Sequence, residues 1–225
     1  MNPKPSAPRT ADADRSGCGC TCPVIRSEQG RAPDGACWRY PEGPGSDAMG
    51  LAEHPALHVT WTDALAFARW AGKRLPTEAE REAAARGDQT QASYPWGEDL
   101  VPSGVHQCNI WQGAFPRDNT DDDGFLGTAP AASFAPSSLG LHNVVDNVWD
   151  WTVDGWRTDS HAGASEATRA NPLGPPSAPA SGDMKVIRGG SYLCHATYCN
   201  HYRLSARSFN SVVSIAGHMG FRCCV

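Results

Sequence analysis

The sequence has no run of apolar residues long enough to cross a bilayer, and no hydrophobic segment near its N-terminus that resembles a secretory signal. We therefore expect a cytoplasmic protein without a membrane partner. An excess of basic residues is also lacking. The 19 lysines and arginines are outnumbered by 24 aspartates and glutamates, so the net charge is −5. This balance argues against a nucleic-acid partner.

Several common catalytic signatures are absent as well. The chain contains no G-x-S-x-G turn, no P-loop and no dinucleotide-binding fingerprint, so serine-hydrolase and nucleotide chemistry lose support. Glycine, proline and tryptophan are plentiful, with 23, 18 and 8 residues. That composition favours a loop-rich fold over a helical bundle.

Two segments contain few apolar side chains that folding could bury. Residues 1–34 are rich in Pro, Ala, Ser, Gly and charged residues and contain hardly any large apolar side chain. Burial cannot offset the entropy of ordering such a segment, so we predict a disordered tail followed by one domain over residues 35–225. The polar, proline-rich residues 161–183 are predicted to form a surface loop.

Two helices are predicted early in the domain. Thr60 and Asp63 form a capping-box-like start for the first helix. Thr77 and Glu80 form a capping box for the second, which we expect to end near Gly87. Beyond this point, short apolar segments alternate with Gly, Pro, Asn and Asp, which is typical of short strands and ordered loops.

The number of cysteines is unusual, and it is an odd number. Nine cysteines cannot all pair within one chain, and without a secretory signal we expect reduced thiols. Cys18, Cys20 and Cys22 lie in the predicted tail. Their C-x-C-x-C spacing does not match a zinc site, so incidental tail residues are the favoured interpretation and metal binding is the alternative.

Cys194 and Cys199 lie in "RGGSYLCHATYC", five positions apart. In a strand they would face opposite sides, and on a helix they would lie about 140° apart. The sulfurs can therefore meet only if the chain bends between His195 and Tyr198. Two thiolates on one bend suit Cu(I). Zinc completed by a nearby histidine such as His195 or His201, a disulfide, and two inert buried thiols are the alternatives.

Acidic residues suggest a second kind of metal site. Residues 121–123 are three aspartates before a glycine, which is typical of oxygen ligands for calcium. An EF-hand is excluded, because a loop that starts at Asn119 would have Pro130 where the final glutamate is required. An irregular calcium site and a solvated acidic loop remain open. Asn143 and Asp150, in "NVVDNVWDW", are a second possible ligand set.

Taken together, the longer motifs resemble one family. "HVTWTDALAFARWAGKRLPTEAE", "YPWG", "NIWQGAFP…DGFLGTAP", "GLHNVVDNVWDW", "NPLGPP" and "VIRGGSYLCHATYCNHYRLSARS…GFRC" occur in the order typical of formylglycine-generating enzymes, also called sulfatase-modifying factors. The resemblance runs from about Gly35 to Cys223. It implies a single α+β domain with little regular secondary structure, related to C-type lectin folds.

The resemblance also implies an activity. Such a protein oxidises a cysteine in the C-x-P-x-R segment of an unfolded sulfatase to Cα-formylglycine, with molecular oxygen and Cu(I). Copper and oxygen remove hydrogen from the β-carbon of the substrate cysteine, and the resulting thioaldehyde hydrolyses to the aldehyde. We expect a monomer. The chemistry of the cysteine pair agrees with this activity, since Cu(I) held by two thiolates leaves room for a substrate thiolate.

Site residues follow from the resemblance by position. Cys194 and Cys199 match the catalytic, copper-binding pair, and Ser191 matches a serine beside the oxygen site. For a first calcium ion, the resemblance implies Asn109 and Asp123 as ligands, with the carbonyls of Ile110 and Phe125. For a second calcium ion, it implies Asn143 and Asp150, with carbonyls near Asp146 and Val148.

Four positions depart from the family pattern. Arg81 and Ala83 stand where aromatic residues are usual, and Asp146 stands where glycine is usual. Asp150 replaces a longer carboxylate. We expect this shorter side chain to weaken the second calcium site unless Asp146 supplies an extra oxygen.

Secreted members of the family have disulfides that this chain does not match. Ala68, Ala85 and Leu204 occupy three of the four half-cystine positions, and Cys223 occupies the fourth. Cys223 is therefore expected to lack its partner, which agrees with a reduced protein.

Roughly the first third of the usual family domain, a β-rich segment and an aromatic stretch that forms part of the substrate groove, is expected to be missing. The alternative function is therefore a catalytically inactive, calcium-stabilised binding module of the same fold. An iron-dependent sulfoxide synthase is a weaker alternative, because such enzymes need a histidine-rich metal-binding domain that this sequence does not show.

Overall fold

The computed structural model describes residues 35–160, Pro172, Gly174 and residues 184–225. The predicted tail, residues 1–34, and nearly all of the predicted surface loop lie outside these residues. Within them, no helix is long and apolar enough to span a membrane.

Regular secondary structure is sparse, and four strands form the main sheet. In chain order the elements are α1 (Trp61–Trp70), α2 (Glu78–Arg86), β1 (Gly113–Ala114), β2 (Asp118–Asn119), β3 (Trp149–Gly155), β4 (Met184–Arg188), β5 (Ser208–Ser211) and β6 (Met219–Phe221), with single 3-10 turns at Met49–Leu51 and Pro102–Gly104. The sheet order is β5-β4-β3-β6, and β1 pairs with β2. Strand β4 is antiparallel to both neighbours, whereas β6 is parallel to β3. This is the loop-rich α+β architecture that the resemblance implied.

Both helices begin where the sequence predicted. The Thr60 hydroxyl accepts a hydrogen bond from the backbone N–H of Asp63, and the Asp63 carboxylate accepts one from the backbone N–H of Thr60. Thr77 and Glu80 form the same reciprocal pair at the start of α2. Each capping box satisfies two backbone donors that the helix leaves unpaired. Helix α2 ends at Gly87, as expected.

Strand β3 is the centre of the hydrophobic core. The indole N–H of Trp151, a fully buried residue, donates to the carbonyl of Val59 at 3.1 Å. The indole N–H of Trp61 in α1 donates to the carbonyl of Thr152 at 2.8 Å. Because each ring has an acceptor for its one polar group, both can pack inward without a desolvation penalty. These two bonds attach α1 and the segment before it to β3.

Apolar packing occupies three of the four positions where the resemblance implied half-cystines. Ala68, Ala85 and Leu204 are all buried in the core. Cys223 is half-buried and packs at the edge of the same cluster. The six cysteines within the described residues are free thiols.

Helix α2 is joined to the sheet by buried ion pairs. The carboxylate of Glu78 accepts hydrogen bonds from Arg207, at 2.8 Å from Nη2, and lies 3.4 Å from Nη1 of Arg188. Nη2 of Arg188 also reaches Glu82 at 2.6 Å. Arg188 is at the end of β4 and Arg207 just precedes β5. The network therefore fixes α2 against two adjacent strands.

We expect Glu78→Gln to lower the free energy of unfolding by about 3–5 kcal/mol, because removing one partner of a buried ion pair leaves the other charge uncompensated. Urea denaturation would measure the change. Asp159→Asn is the matched control, since its pair with Arg157 is on the surface, and it should leave the midpoint unchanged. Equal effects of the two substitutions would contradict the structural role assigned to Glu78.

Candidate functional site

The chain turns sharply after β4, and two glycines allow the turn. Gly189 and Gly190 have φ values of +102° and +88°, a region that favours glycine. A Cβ at Gly190 would come within 2.7 Å of an Asp146 carboxylate oxygen and 3.2 Å of the backbone nitrogen of Tyr202. Only glycine fits this position. The turn directs Ser191 into the protein.

A second turn brings the two cysteines together. The carbonyl of His195 accepts hydrogen bonds from the backbone N–H groups of Tyr198, Cys199 and Asn200, at 3.0, 3.1 and 3.2 Å. The bend predicted between His195 and Tyr198 is therefore present. It places the thiols of Cys194 and Cys199 within hydrogen-bonding contact of each other.

The hydrogen bond between the two thiols shifts their pKa values in opposite directions. The hydrogen bond with Cys194 lowers the pKa of Cys199 to about 5, although burial opposes this effect. The same hydrogen bond, reinforced by burial, raises the pKa of Cys194. A hydrogen bond to the charged form of one partner stabilises that form. The hydrogen bond therefore favours the charged form of Cys199 and the neutral form of Cys194.

The two sulfurs also differ in access. Cys194 is 2% exposed, whereas Cys199 is partly exposed. The backbone N–H of Ser191 lies 3.4 Å from the Cys194 sulfur, and the Ser191 hydroxyl lies 4.0 Å from it. The backbone N–H of Cys194 returns a bond to the Ser191 carbonyl at 2.8 Å. The inner sulfur is therefore held rigidly, while the outer one can be reached from solvent.

Two histidines lie beside the pair. His201 hydrogen-bonds Cys199 through its side chain and its backbone, and both bonds help to lower the pKa of that thiol. The His195 ring bonds the Thr197 hydroxyl at 2.9 Å instead. Within the described parts of the chain, no group of three or more His, Cys, Asp or Glu side chains is arranged to hold a metal ion. The arrangement favours a two-sulfur site. The supporting role of His201 was not foreseen, since the sequence indicated it only as a possible zinc ligand.

An aromatic surface borders the pair. Phe115 stacks on Tyr198 with ring centroids 4.9 Å apart and on His195 at 5.8 Å, and its edge meets Trp111 at 5.3 Å. Tyr198 is 45% exposed. The sequence analysis did not select Phe115, because only the fold brings it next to the second turn.

Asp123, of the first predicted calcium set, contacts the backbone of two other members of that set. The Asp123 carboxylate accepts hydrogen bonds from the backbone N–H groups of Ile110 and Phe125, each at 3.0 Å, and from the Gln112 amide at 2.8 Å. The same amide donates to the Ile110 carbonyl. Burial raises the pKa of Asp123. Gln112 is a member of this cluster that the sequence analysis missed.

An unsatisfied oxygen marks this cluster as a place for a cation. Asn109 is 1% exposed, and its amide nitrogen donates to the Gly127 carbonyl at 2.8 Å. Its side-chain oxygen is buried and has no donor among the described residues. A buried acceptor without a partner is costly, and a calcium ion supplies the missing positive charge. Asn109, Asp123 and the two carbonyls therefore fit an oxygen-ligated ion.

The second predicted calcium set does not fit an ion in the same way. The Asp150 carboxylate is held by two guanidinium groups. Nε and Nη2 of Arg81 lie 2.9 and 2.8 Å from its Oδ2, and Nε of Arg222 lies 2.9 Å from the same atom. The carboxylate of Asp146, which was considered above as a source of an extra oxygen, faces Gly190 and the Cys108 thiol.

Asp146 is an unusual buried acid. Its φ is +64° and it is 2% exposed. Neither carboxylate oxygen has an N–H or O–H donor within the described residues. Burial raises the pKa of this carboxyl strongly, and the hydrogen bond with Cys108 opposes the shift. Burial thus favours the neutral form of this carboxyl.

Comparison with known proteins agrees with this architecture. PvdO from Pseudomonas aeruginosa has the same fold, with a TM-score of 0.57 and 23% identity over 75% of this chain and 60% of that one. The fold class is C-type-lectin-like and loop-rich. The family described as "Sulfatase-modifying factor enzyme 1-like domain" matches residues 23–225. The chain therefore belongs to the sulfatase-modifying factor family.

Individual relatives carry two kinds of name. "Formylglycine-generating enzyme" from Thermomonospora curvata is 55% identical over 192 residues, which are 85% of this chain and 62% of the relative. The protein of the same name from Bos taurus is 52% identical over 189 residues, 84% of this chain and 48% of the relative. "Inactive C-alpha-formylglycine-generating enzyme 2" from Bos taurus is 39% identical over 191 residues, 84% and 56% of the two chains. The chain spans about half to three fifths of the length of these relatives.

We expect Asp146→Gly to raise the free energy of unfolding by about 1 kcal/mol, because it removes an unsatisfied buried polar group. Glycine also adopts the positive φ of this position without strain. Chemical denaturation would measure the change, with Asp150→Asn as the contrast. That substitution removes a paired charge and should cost about 3–5 kcal/mol. A comparable loss of stability in both variants would mean that Asp146 has a native partner.

Proposed function

We propose that this chain oxidises a cysteine in a C-x-P-x-R segment of an unfolded sulfatase to Cα-formylglycine, with molecular oxygen and copper. The contact between the Cys194 and Cys199 sulfurs is the observation that carries the proposal. High identity to relatives named formylglycine-generating enzyme supports it further. We also propose that the protein acts as a cytoplasmic monomer.

The sulfur pair suits a soft, low-coordinate ion. Thiolate ligands select Cu(I), and each cysteine must be deprotonated to bind it. The hydrogen bond between the sulfurs lowers the pKa of Cys199 and so favours the thiolate form that binding requires. When bound, copper would supply the one-electron chemistry that lets oxygen take hydrogen from the substrate cysteine.

The surrounding residues have positioning roles. Ser191 orients the buried sulfur through its backbone N–H and places its hydroxyl on the same side, where oxygen would approach. His201 stabilises the charge on the outer sulfur. The partly exposed Cys199 faces the side from which a substrate thiol can join the two protein sulfurs. The aromatic surface of Phe115 and Tyr198 offers an apolar contact for an extended peptide.

A catalytically inactive binding module of the same fold is the second candidate. Relatives named inactive share 39% identity with this chain, and the chain spans only part of its active-named relatives as well. A binding module would keep the fold and the calcium site without turnover. The intact sulfur pair favours the enzyme.

Incubation of copper-loaded protein with a C-x-P-x-R peptide under oxygen tests the proposal. Mass spectrometry should show conversion of the peptide cysteine to the aldehyde. Cys194→Ser and Cys199→Ser should each abolish both tight copper uptake and turnover, because one thiolate cannot complete a two-sulfur site.

Cys37→Ser is the control, since Cys37 belongs to a separate turn near the start of the domain, and it should retain both properties. Copper uptake without any peptide conversion would favour the binding module. Copper uptake by both serine variants at the wild-type level would refute the paired-thiolate site.

We further propose that calcium binds at Asn109, Asp123 and the carbonyls of Ile110 and Phe125. A ligand present at 100 times its Kd stabilises the native state by about 2.7 kcal/mol. For a domain of this size that corresponds to roughly 5–10 °C in Tm. A chelator should therefore lower the Tm of calcium-loaded protein by this amount.

Asp123→Asn should make the Tm insensitive to the chelator. Asp121→Asn is the matched control, because Asp121 is an exposed acid of the same loop and its φ of +59° also suits asparagine. A chelator effect that survives Asp123→Asn, or that Asp121→Asn removes, would contradict this site.

A further inference from the structure

We propose that the guanidinium of Arg81 takes the place of a second calcium ion, so that an internal cation organises the ligand set around Asp150. The second set named from the sequence would then hold no metal. The argument uses only the contacts of this buried region. It is independent of the copper chemistry and of turnover.

The position of the guanidinium is the first step. Arg81 lies in the second turn of α2 and is 4% exposed. Its Nε donates to Asp150, and its Nη2 lies 2.8 Å from the same oxygen and donates to the carbonyl of Val144. The point where a Cβ of Gly189 would lie is 3.0 Å from this Nη2 and 3.9 Å from the carbonyl oxygen of Val148. The guanidinium and the Val148 carbonyl therefore both lie near Gly189, and Asp150 is at ion-pair distance from the same Nη2.

A second guanidinium closes the other side of this space. Nε of Arg222 lies 2.9 Å from Oδ2 of Asp150, and its Nη2 donates to the carbonyl of Asn143. Two of the residues expected to bind calcium are thus already held by cations of the protein. The Asn143 side-chain oxygen is buried without a donor.

The charge of the region also opposes a metal ion. Asp150 contributes one negative charge, whereas Arg81 and Arg222 contribute two positive charges. A calcium ion would bring the local total from +1 to +3 in a buried place, where repulsion is weakly screened. The carboxylate of the neighbouring Asp146 faces Gly190 and Cys108.

Two departures from the family pattern meet in this one contact. Arg81 stands where an aromatic residue is usual, and Asp150 stands where a longer carboxylate is usual. The shorter acid leaves room for the planar guanidinium, which presents two N–H groups to the same oxygen. The loop between Asn143 and Val148 is consequently attached to α2 and β3 by the protein itself, whatever the calcium concentration.

Calcium counting tests this assignment. Wild-type protein saturated with calcium, freed of excess by gel filtration and analysed by atomic emission should contain one ion per chain. Asp123→Asn should contain none. An ion in the wild type that survives Asp123→Asn and is lost in Asp150→Asn would overturn the proposal. A wild-type count of zero would instead refute the first calcium site and agree with the absence of the second ion.

Replacement of the internal cation gives the complementary result. Arg81→Gln removes the charge and offers an amide oxygen, so it should gain one calcium ion per chain over the wild type, and added calcium should raise its Tm. Arg86→Gln is the matched control, because Arg86 lies in the same helix but pairs with Glu82 at the surface, and its count should equal that of the wild type. A folded Arg81→Gln variant without the extra ion would contradict the exchange of guanidinium for calcium. If Arg81→Gln does not fold, the comparison of wild type, Asp123→Asn and Asp150→Asn still decides.

Discussion

The buried ion pair between Arg81 and Asp150 is the constraint on which most of this fold depends. Asp150 is in the central strand β3, and Arg81 is in the helix that packs against it. The same guanidinium bonds the carbonyl of Val144. One charged group thus joins a helix, the sheet and the irregular loop before β3. A domain with so few regular elements needs such cross-links, because its loops cannot satisfy their own backbone groups.

The cysteine site lies beside these cross-linked elements, but local turns of the backbone set its geometry. Two glycines after β4 permit an approach that any side chain would block, and the carbonyl of His195 gathers three N–H groups into a tight turn. Both features are set by the backbone. Backbone hydrogen bonds therefore bring the two sulfurs into contact, and the hydrogen bond between the sulfurs lowers the pKa of Cys199.

The region around the site contains polar groups of two different kinds. Asn109 and Asp123 leave an oxygen without a donor, which is the character of a cation site. Around Asp150 the cations are guanidinium groups of the chain. Asp146 belongs to neither arrangement, and burial raises the pKa of its carboxyl beside Cys108. Neighbouring carboxylates thus have different roles because their surroundings differ, which is a general consequence of burial and local charge.

Local signals in the sequence determined much of this protein. The capping boxes at Thr60 and Thr77 predicted both helix starts, because caps involve residues three positions apart. The spacing of Cys194 and Cys199 required a bend, and the bend is present. The order of the long motifs indicated the family, which the comparisons confirm. Only the tertiary structure decided which distant groups meet. Gln112 joins Asp123, Phe115 stacks beside the cysteine turn, and Arg81 reaches Asp150 across 69 positions of the chain. Contacts of this kind depend on how the helix and the strands pack together, and no short-range pattern in the sequence encodes them.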